Sequence, residues 1–86
     1  MATKEIAKEA LYLAKKIWEG AFSIWGLAVG PAPTQYNTYG KPFDVIEDYA
    51  IHAYTSDPED INRIPTTIQN VSVMVFVDIE KLEEKL

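Results

Sequence analysis

Hydrophobic and polar positions repeat with helical periodicity over residues 3–19, at the start of the chain. At about 100° per residue the apolar side chains fall within one arc, and lysines and glutamates occupy the other side. Thr3 can cap the first turn, and Gly20 can supply the left-handed residue that follows a helix. The pattern therefore predicts one long amphipathic helix over residues 3–19.

The next stretch, GAFSIWGLAVGPAP at residues 20–33, is almost entirely apolar. It is too short for a membrane span, which needs about 20 consecutive apolar residues. Continuation of the first helix to residue 29 is possible, but Gly20 and Gly26 would each cost about 1 kcal/mol inside it. We therefore predict a buried strand over residues 22–29, with a continued helix as the alternative.

Residues 30–42 hold three prolines and two glycines, which is typical of an exposed connection and of a functional loop. Residues 45–55 fit either a helix or a strand, because apolar positions recur there at both spacings. The valine-rich segment 70–79 is the strongest strand in the chain, and a strand needs a partner for its backbone groups. We therefore predict that residues 45–55 also form a strand.

Two short helices complete the prediction. Asp57 and Pro58 indicate a helix over residues 58–63, and Pro65 prevents its extension. A C-terminal helix is predicted over residues 79–86. The chain, residues 1–86, is thus expected to form a single small α+β domain in the order α-β-β-α-β-α. Its mixed three-stranded sheet would pack on the long N-terminal helix, with strands 22–29 and 45–55 antiparallel and strands 45–55 and 70–79 parallel.

Composition narrows the possible functions. The 86 residues contain no cysteine and carry a formal net charge of −5, with an isoelectric point near 4.7. Disulfides are excluded, and an acidic chain lacks the basic footprint of nucleic-acid or anionic-membrane binding. Because the N-terminus shows no signal-peptide pattern, we expect a cytoplasmic protein with no membrane or nucleic-acid partner.

The chain is poor in candidate catalytic and metal-binding residues. His52 is the only histidine, and on a strand Asp48 would lie about 13 Å from it, too far to orient its ring. One histidine without cysteine excludes an ordinary zinc site. The acidic residues Asp57, Glu59 and Asp60 are explained by the positive end of the short helix. We predict no catalytic residue, no metal and no cofactor, which favours a protein that is not an enzyme.

An excess of apolar side chains favours association with another protein. In the segment 71–77 nearly all positions are apolar, so both faces of that strand require cover. One helix can cover one face, and small domains without disulfides often gain stability from self-association. We therefore predict a binding or assembly module that acts through homo-oligomerisation or as a subunit of a larger complex. The candidate self-association residues are Trp18, Trp25, Met74 and Phe76.

Two further functions are weaker alternatives. The connection 30–42 carries tyrosines and amides of the kind that binding loops use. A small molecule or peptide could bind there, with Tyr36, Tyr39, His52 and Tyr54 as candidate ligand-binding residues. An enzyme ranks third, because no residue near His52 in the sequence completes a catalytic set.

Overall fold

A computed structural model describes residues 1–77 of the chain. The predicted C-terminal helix 79–86, and the last two positions of the strand predicted over 70–79, lie outside the described residues. The described elements, in chain order, are α1 (Lys4–Trp18), β1 (Ile24–Pro31), a short 3-10 turn (Pro33–Gln35), β2 (Tyr49–Thr55), α2 (Asp60–Arg63), β3 (Thr67–Ile68) and β4 (Val71–Val77).

The strands form one mixed sheet in the order β1-β2-β4-β3. β1 runs antiparallel to β2, β2 runs parallel to β4, and β3 runs antiparallel to β4. The expected α+β class, with one long helix and a mixed sheet, is confirmed. The sheet has four strands, however, and the prediction of three is wrong.

The missed strand is β3, which has only two residues and forms a hairpin with β4. Its turn consists of Gln69 and Asn70, with φ values of 49° and 63°. Two consecutive residues with positive φ are what a two-residue type I′ hairpin requires, and asparagine tolerates this conformation well. Two residues are too few to produce an alternating pattern, so periodicity could not reveal the strand.

α1 corresponds to the predicted helix 3–19 and begins and ends as its sequence indicates. The hydroxyl oxygen of Thr3 accepts a hydrogen bond from the amide of Ile6 at 3.3 Å. After Trp18 the chain turns through Gly20, whose φ is 77°. The residues that follow form β1 rather than a continued helix.

Three other elements differ in extent from the prediction. α2 begins at Asp60 rather than at residue 58. β1 lies two residues later than the predicted strand 22–29, and β2 begins at Tyr49 rather than at residue 45. The residues before β2 fold back on the 3-10 turn instead: the amide of Glu47 donates to Gln35 Oε1 at 3.0 Å, and the amide of Phe43 donates to the Gln35 carbonyl at 2.8 Å. These polar contacts across the loop take the place of a longer strand.

The hydrophobic core lies between α1 and one face of the sheet. Three alanines of α1 (Ala7, Ala10 and Ala14) are fully buried there, and small side chains let a helix approach a sheet closely. The core residues that meet them from elsewhere in the chain include Ile51, Ile64, Ile68 and Val71. In residues 1–77, no helix is both long and apolar enough to cross a membrane.

A buried carboxylate holds one end of the sheet together. Asp60 Oδ2 accepts hydrogen bonds from the amide of Ser23 at 2.9 Å and from the hydroxyl of Thr55 at 2.6 Å. Arg63 approaches the other carboxylate oxygen at 3.8 Å. Asp60 thereby connects α2 to the residue preceding β1 and to the last residue of β2.

Candidate functional site

The face of the sheet opposite α1 carries large side chains and no lysine, arginine, aspartate or glutamate from β1, β2 or β4. Alternation along a strand places His52 and Tyr54 on this face, since Ile51 belongs to the core on the other side. Met74 and Phe76 lie beside them on β4, at the register positions of His52 and Tyr54. The regularly paired part of β1 contributes only small residues to this face: Gly26, Ala28 and Gly30.

Four rings form a continuous row across this face. The ring centroids of Trp25 and Tyr54 are 5.4 Å apart. Tyr54 stacks on Phe76 at 5.3 Å with an interplanar angle of 22°, and Phe76 lies 5.2 Å from His52. Contacts of this geometry add about 0.5–1.5 kcal/mol per pair beyond their buried area. We call Trp25, Tyr54, Phe76 and His52 the aromatic row.

Trp25 joins the row because β1 is irregular at this point. Ile24 pairs with Thr55 and Gly26 pairs with Tyr54, so Trp25 is an extra residue in a β-bulge. Strict alternation would have placed its indole on the same face as Leu27, towards α1. The bulge instead brings the indole against Tyr54, with 51% of the residue exposed. Trp25, which lies at the edge of the sheet, is therefore the most accessible ring of the aromatic row.

A cleft adjoins Trp25 on the side of α1. It has a volume of about 440 Å³ and lies between the end of α1 and the first half of β1. Its apolar walls come from Trp18, Phe22 and Leu27 as well as Trp25, and Lys15 and Glu19 lie at the end of the helix that borders it. Trp25 therefore takes part both in the aromatic row and in this cleft.

Glycine is required where rings of β2 lie across β1. A Cβ atom placed on Gly30 would come within 2.5 Å of His52 Cε1. One placed on Gly26 would lie 3.5 Å from the Tyr54 ring, which is an ordinary contact. The His52 ring therefore lies over small residues of β1. Of Gly26 and Gly30, only Gly30 has no room for a side chain.

His52 is placed as a structural residue. It is 7% exposed, and its Nε2–H donates a hydrogen bond to the Pro31 carbonyl at 2.8 Å. Asp48 does not orient it, because the Asp48 carboxylate accepts bonds from the Ala2 amide at 2.8 Å and the Thr34 hydroxyl at 3.0 Å. The Ala2 amide bond is the main reason that the pKa of Asp48 lies below its ordinary value, with the Thr34 bond contributing. A general base would need a free nitrogen directed at a substrate, and the Nε2 position is already used.

The predicted ligand-binding residues are only partly brought together. His52 and Tyr54 are neighbours on β2 and both contact Phe76. Tyr39 is 88% exposed near the tip of the loop, and half-buried Tyr36 forms an isolated bridge with Pro42. Among residues 1–77, the ring contacts of His52 and Tyr54 are with Trp25 and Phe76 and not with the loop tyrosines.

The predicted self-association residues divide between the two faces. Trp25 and Phe76 belong to the aromatic row, and Met74 lies beside it on β4. Trp18 lies on the core side, where it is 6% exposed and contacts Phe22 edge-on at 6.3 Å. The sequence pattern did not indicate the roles of Gly30 and of the bulge. The usable signal was glycine inside an apolar strand, which often marks a bulge or a place where another group approaches the backbone closely.

The described residues contain no group of three or more side chains that could hold a metal ion. The acidic residues near α2 are engaged with one another's backbone and with arginine: Asp57 Oδ1 accepts from the Glu59 amide at 3.0 Å, and Arg63 donates to Glu59 at 2.6 Å. Comparisons with protein-family models, curated proteins and solved structures find no significant match to this chain.

Proposed function

We propose that this protein is a non-catalytic assembly module that self-associates through the region of its sheet around Trp25. The observation that supports this most directly is the half-exposed Trp25, held by a bulge at the edge of a row of aromatic rings. Tryptophan and tyrosine dominate the energetics of protein interfaces.

The rings of the aromatic row are already held in place in the single chain, without a partner. Each of its rings is held by at least one other ring at 5.2 to 5.4 Å, and His52 is fixed by its bond to Pro31. Ordering a side chain on binding costs about 0.5–1.5 kcal/mol. Rings that are already ordered avoid most of this cost, so burial of their exposed surface contributes more fully to affinity.

The distribution of charge favours a second copy over nucleic acid or an anionic membrane. Two chains that each carry a formal net charge of −5 repel each other, and this repulsion is smallest where they meet through uncharged surfaces. The strands β1, β2 and β4 contribute no ionised carboxylate or ammonium group to the face that holds the aromatic row. A cytoplasmic setting is part of this proposal, because a chain without cysteine has no need of an oxidising compartment.

Sedimentation equilibrium of the full chain from about 10 µM to about 1 mM tests the proposal, because this range covers the affinities of weak and moderate dimers. We expect a concentration-dependent mass above that of the 9.7 kDa monomer. Trp25→Ala should weaken association at least about tenfold, the effect expected of a residue central to an interface. Tyr12→Ala is the matched control, because Tyr12 is an exposed aromatic residue on the outer side of α1, where Lys16 lies 4.5 Å from its ring.

A monomer mass throughout that range would contradict the proposal, as would equal weakening by Trp25→Ala and Tyr12→Ala. Trp25→Phe should retain part of the association, because it keeps an aromatic ring against Tyr54 while losing area.

A further inference from the structure

β1 is an outer strand of the sheet, and within residues 1–77 no other strand lies beyond it. Its eight residues, IWGLAVGP, include no charged side chain, and its proline is at the last position. Natural sheets usually protect a strand edge of this length with lysine, an internal proline, a β-bulge or a covering element, because it otherwise invites pairing with another strand. The sequence of β1 has no lysine and no internal proline, and beyond its bulge at Trp25 the strand is regular from Gly26 to Gly30.

The hydrogen bonds at the end of β1 identify which peptide groups face outward. The amide of Ala32 donates to the Asp48 carbonyl at 3.1 Å, in register with the β1–β2 ladder. Because bonded and non-bonded pairs alternate in an antiparallel ladder, the even positions of β1 bond to β2 and the odd positions turn outward. Pro31 is one of these odd positions, so its lack of an N–H removes no bond to β2, and its carbonyl is taken by His52. Leu27 and Val29 are left with outward-facing N–H and C=O groups.

Surface area favours a contact that extends beyond the rings. Complete burial of Trp25, Tyr54 and Phe76 would remove about 450–750 Å² at about 150–250 Å² each, and a stable interface buries about 800 Å² per partner. These rings are already partly covered, with Phe76 only 36% exposed, so they alone fall short. A stable contact must therefore use other surface, and the cleft beside Trp25 and the edge of β1 both adjoin the row.

A second β1 is a suitable occupant of this edge. A strand laid along β1 would direct every other side chain over the cleft walls formed by Trp18, Phe22 and Leu27. In a second copy those side chains are aliphatic, as they belong to Leu27 and Val29. The cleft is lined at the helix end by Lys15 and Glu19, so two-fold pairing can match each of these two charges with its opposite.

We infer that two copies of this chain pair β1 with β1 in antiparallel orientation across a two-fold axis, so that their sheets become one continuous sheet. The inference rests on the proposed self-association and specifies its geometry. The two aromatic rows then lie on the same side of the joined sheet, with the two copies of Trp25 flanking the seam.

Amide hydrogen exchange measured residue by residue with NMR tests this geometry on the unaltered chain. Raising the concentration until the dimer predominates should slow exchange at Leu27 and Val29 at least about tenfold, because their N–H groups become hydrogen-bonded. Ala28 is the internal control: its amide bonds to β2 in the monomer, so its exchange should change far less. Unchanged exchange at Leu27 and Val29 in a sample that sedimentation shows to be dimeric overturns edge pairing and leaves self-association intact.

Nitroxide labels provide a second, independent measurement. The chain has no cysteine, so Ala28→Cys on β1 and Ser72→Cys on β4 each give one labelled site, and both positions are exposed. With strands about 4.8 Å apart, edge pairing separates the two β1 strands by about 5 Å and the two β4 strands by about 24 Å. We expect strong dipolar coupling for labels at position 28 and a much longer distance for labels at position 72.

If the copies instead stack their aromatic faces, the sheets lie about 10 Å apart and labels at position 72 come as close as those at position 28. That result would overturn edge pairing while supporting self-association through the row. Monomeric mass with no coupling at either position would overturn the edge pairing and the proposed function together.

Discussion

The two faces of the sheet use different kinds of side chain to meet different surroundings. Towards α1 most contacts are between small or aliphatic residues, with Ala7, Ala10 and Ala14 of the helix set against Ile51 and Val71, and Trp18 joins them at one end. Away from α1 the face holds rings, of which Trp25 and Phe76 keep a substantial part of their surface exposed.

Under the proposed function, this difference separates stability from recognition. The alanines of α1 are fully buried against the sheet, so we expect the aliphatic face to contribute more of the free energy of unfolding than the aromatic face. The rings on the opposite face support one another from strand to strand but are not enclosed by the helix. Trp25 keeps the largest exposed fraction among them, and that area is what the proposed self-association uses.

The largest expected effect comes from truncating the aliphatic face. Ile51→Ala should lower the free energy of unfolding by about 3 kcal/mol, since Ile51 is fully buried and the change leaves a cavity. Phe76→Ala removes a larger side chain from the other face but should cost only about 1 kcal/mol in the monomer, because that ring is partly hydrated already.

Urea unfolding of both variants, at a concentration where the protein is monomeric, measures the difference directly. Equal losses for Ile51→Ala and Phe76→Ala would show that the two faces contribute alike to stability, contrary to this division of roles.

An intermediate effect is expected within the aromatic row. Gly30→Ala should destabilise the fold by about 2 kcal/mol, because the added Cβ would overlap the His52 ring and force it to move. The same change in a His52→Ala background should cost at least about 1 kcal/mol less, since the obstructing ring is gone. Thermal or urea unfolding of the two single variants and the double variant gives this coupling. Additive losses would indicate that Gly30 is needed for another reason.

The smallest expected effect concerns the polar contact between the Ala2 amide and Asp48, next to the start of α1. The bond from the Ala2 amide lowers the pKa of Asp48 below its ordinary value of 3.8, so the ionised carboxylate stabilises the folded state. This contribution is fully present above about pH 4 and is lost as the pH falls through the lower pKa of the folded protein. Asp48→Asn should therefore reduce stability at neutral pH by up to about 1 kcal/mol and have less effect in strong acid.

Unfolding curves from about pH 2 to about pH 7 measure this pH dependence, which should be confined to the acid range that contains both pKa values of Asp48. The exposed Asp44, four residues earlier in the same loop, offers the control Asp44→Asn. A difference between wild type and Asp48→Asn that stays constant across the range would mean that charge on Asp48 is not what anchors Ala2.

Periodicity predicted the elements that are long and regular. α1 and β4 have strong patterns, and the parallel pairing of β2 with β4 agrees with the length of the crossover between them. β3 could not be predicted, because two residues carry no period. The start of β2 was placed too early because bonds such as that from the Glu47 amide to Gln35 are long-range polar contacts that a local pattern does not contain.

The sequence indicated some residues of the aromatic row but not their arrangement. The composition of β4 indicated that Met74 and Phe76 face away from the valines, and the structure places them so. Trp18 and Trp25 were grouped because both are large and apolar, yet the helix places one in the core and the bulge turns the other to the opposite face. A bulge changes the face of a residue without changing composition, so alternation alone could not assign Trp25.

The single carboxylate of Asp60 makes three chain segments depend on one another. It is bonded to Ser23 before β1 and to Thr55 at the end of β2, and it belongs itself to α2. We expect these segments to loosen together, since release of any one leaves the buried carboxylate with fewer hydrogen-bond donors. That corner of the protein should therefore open as one cooperative unit.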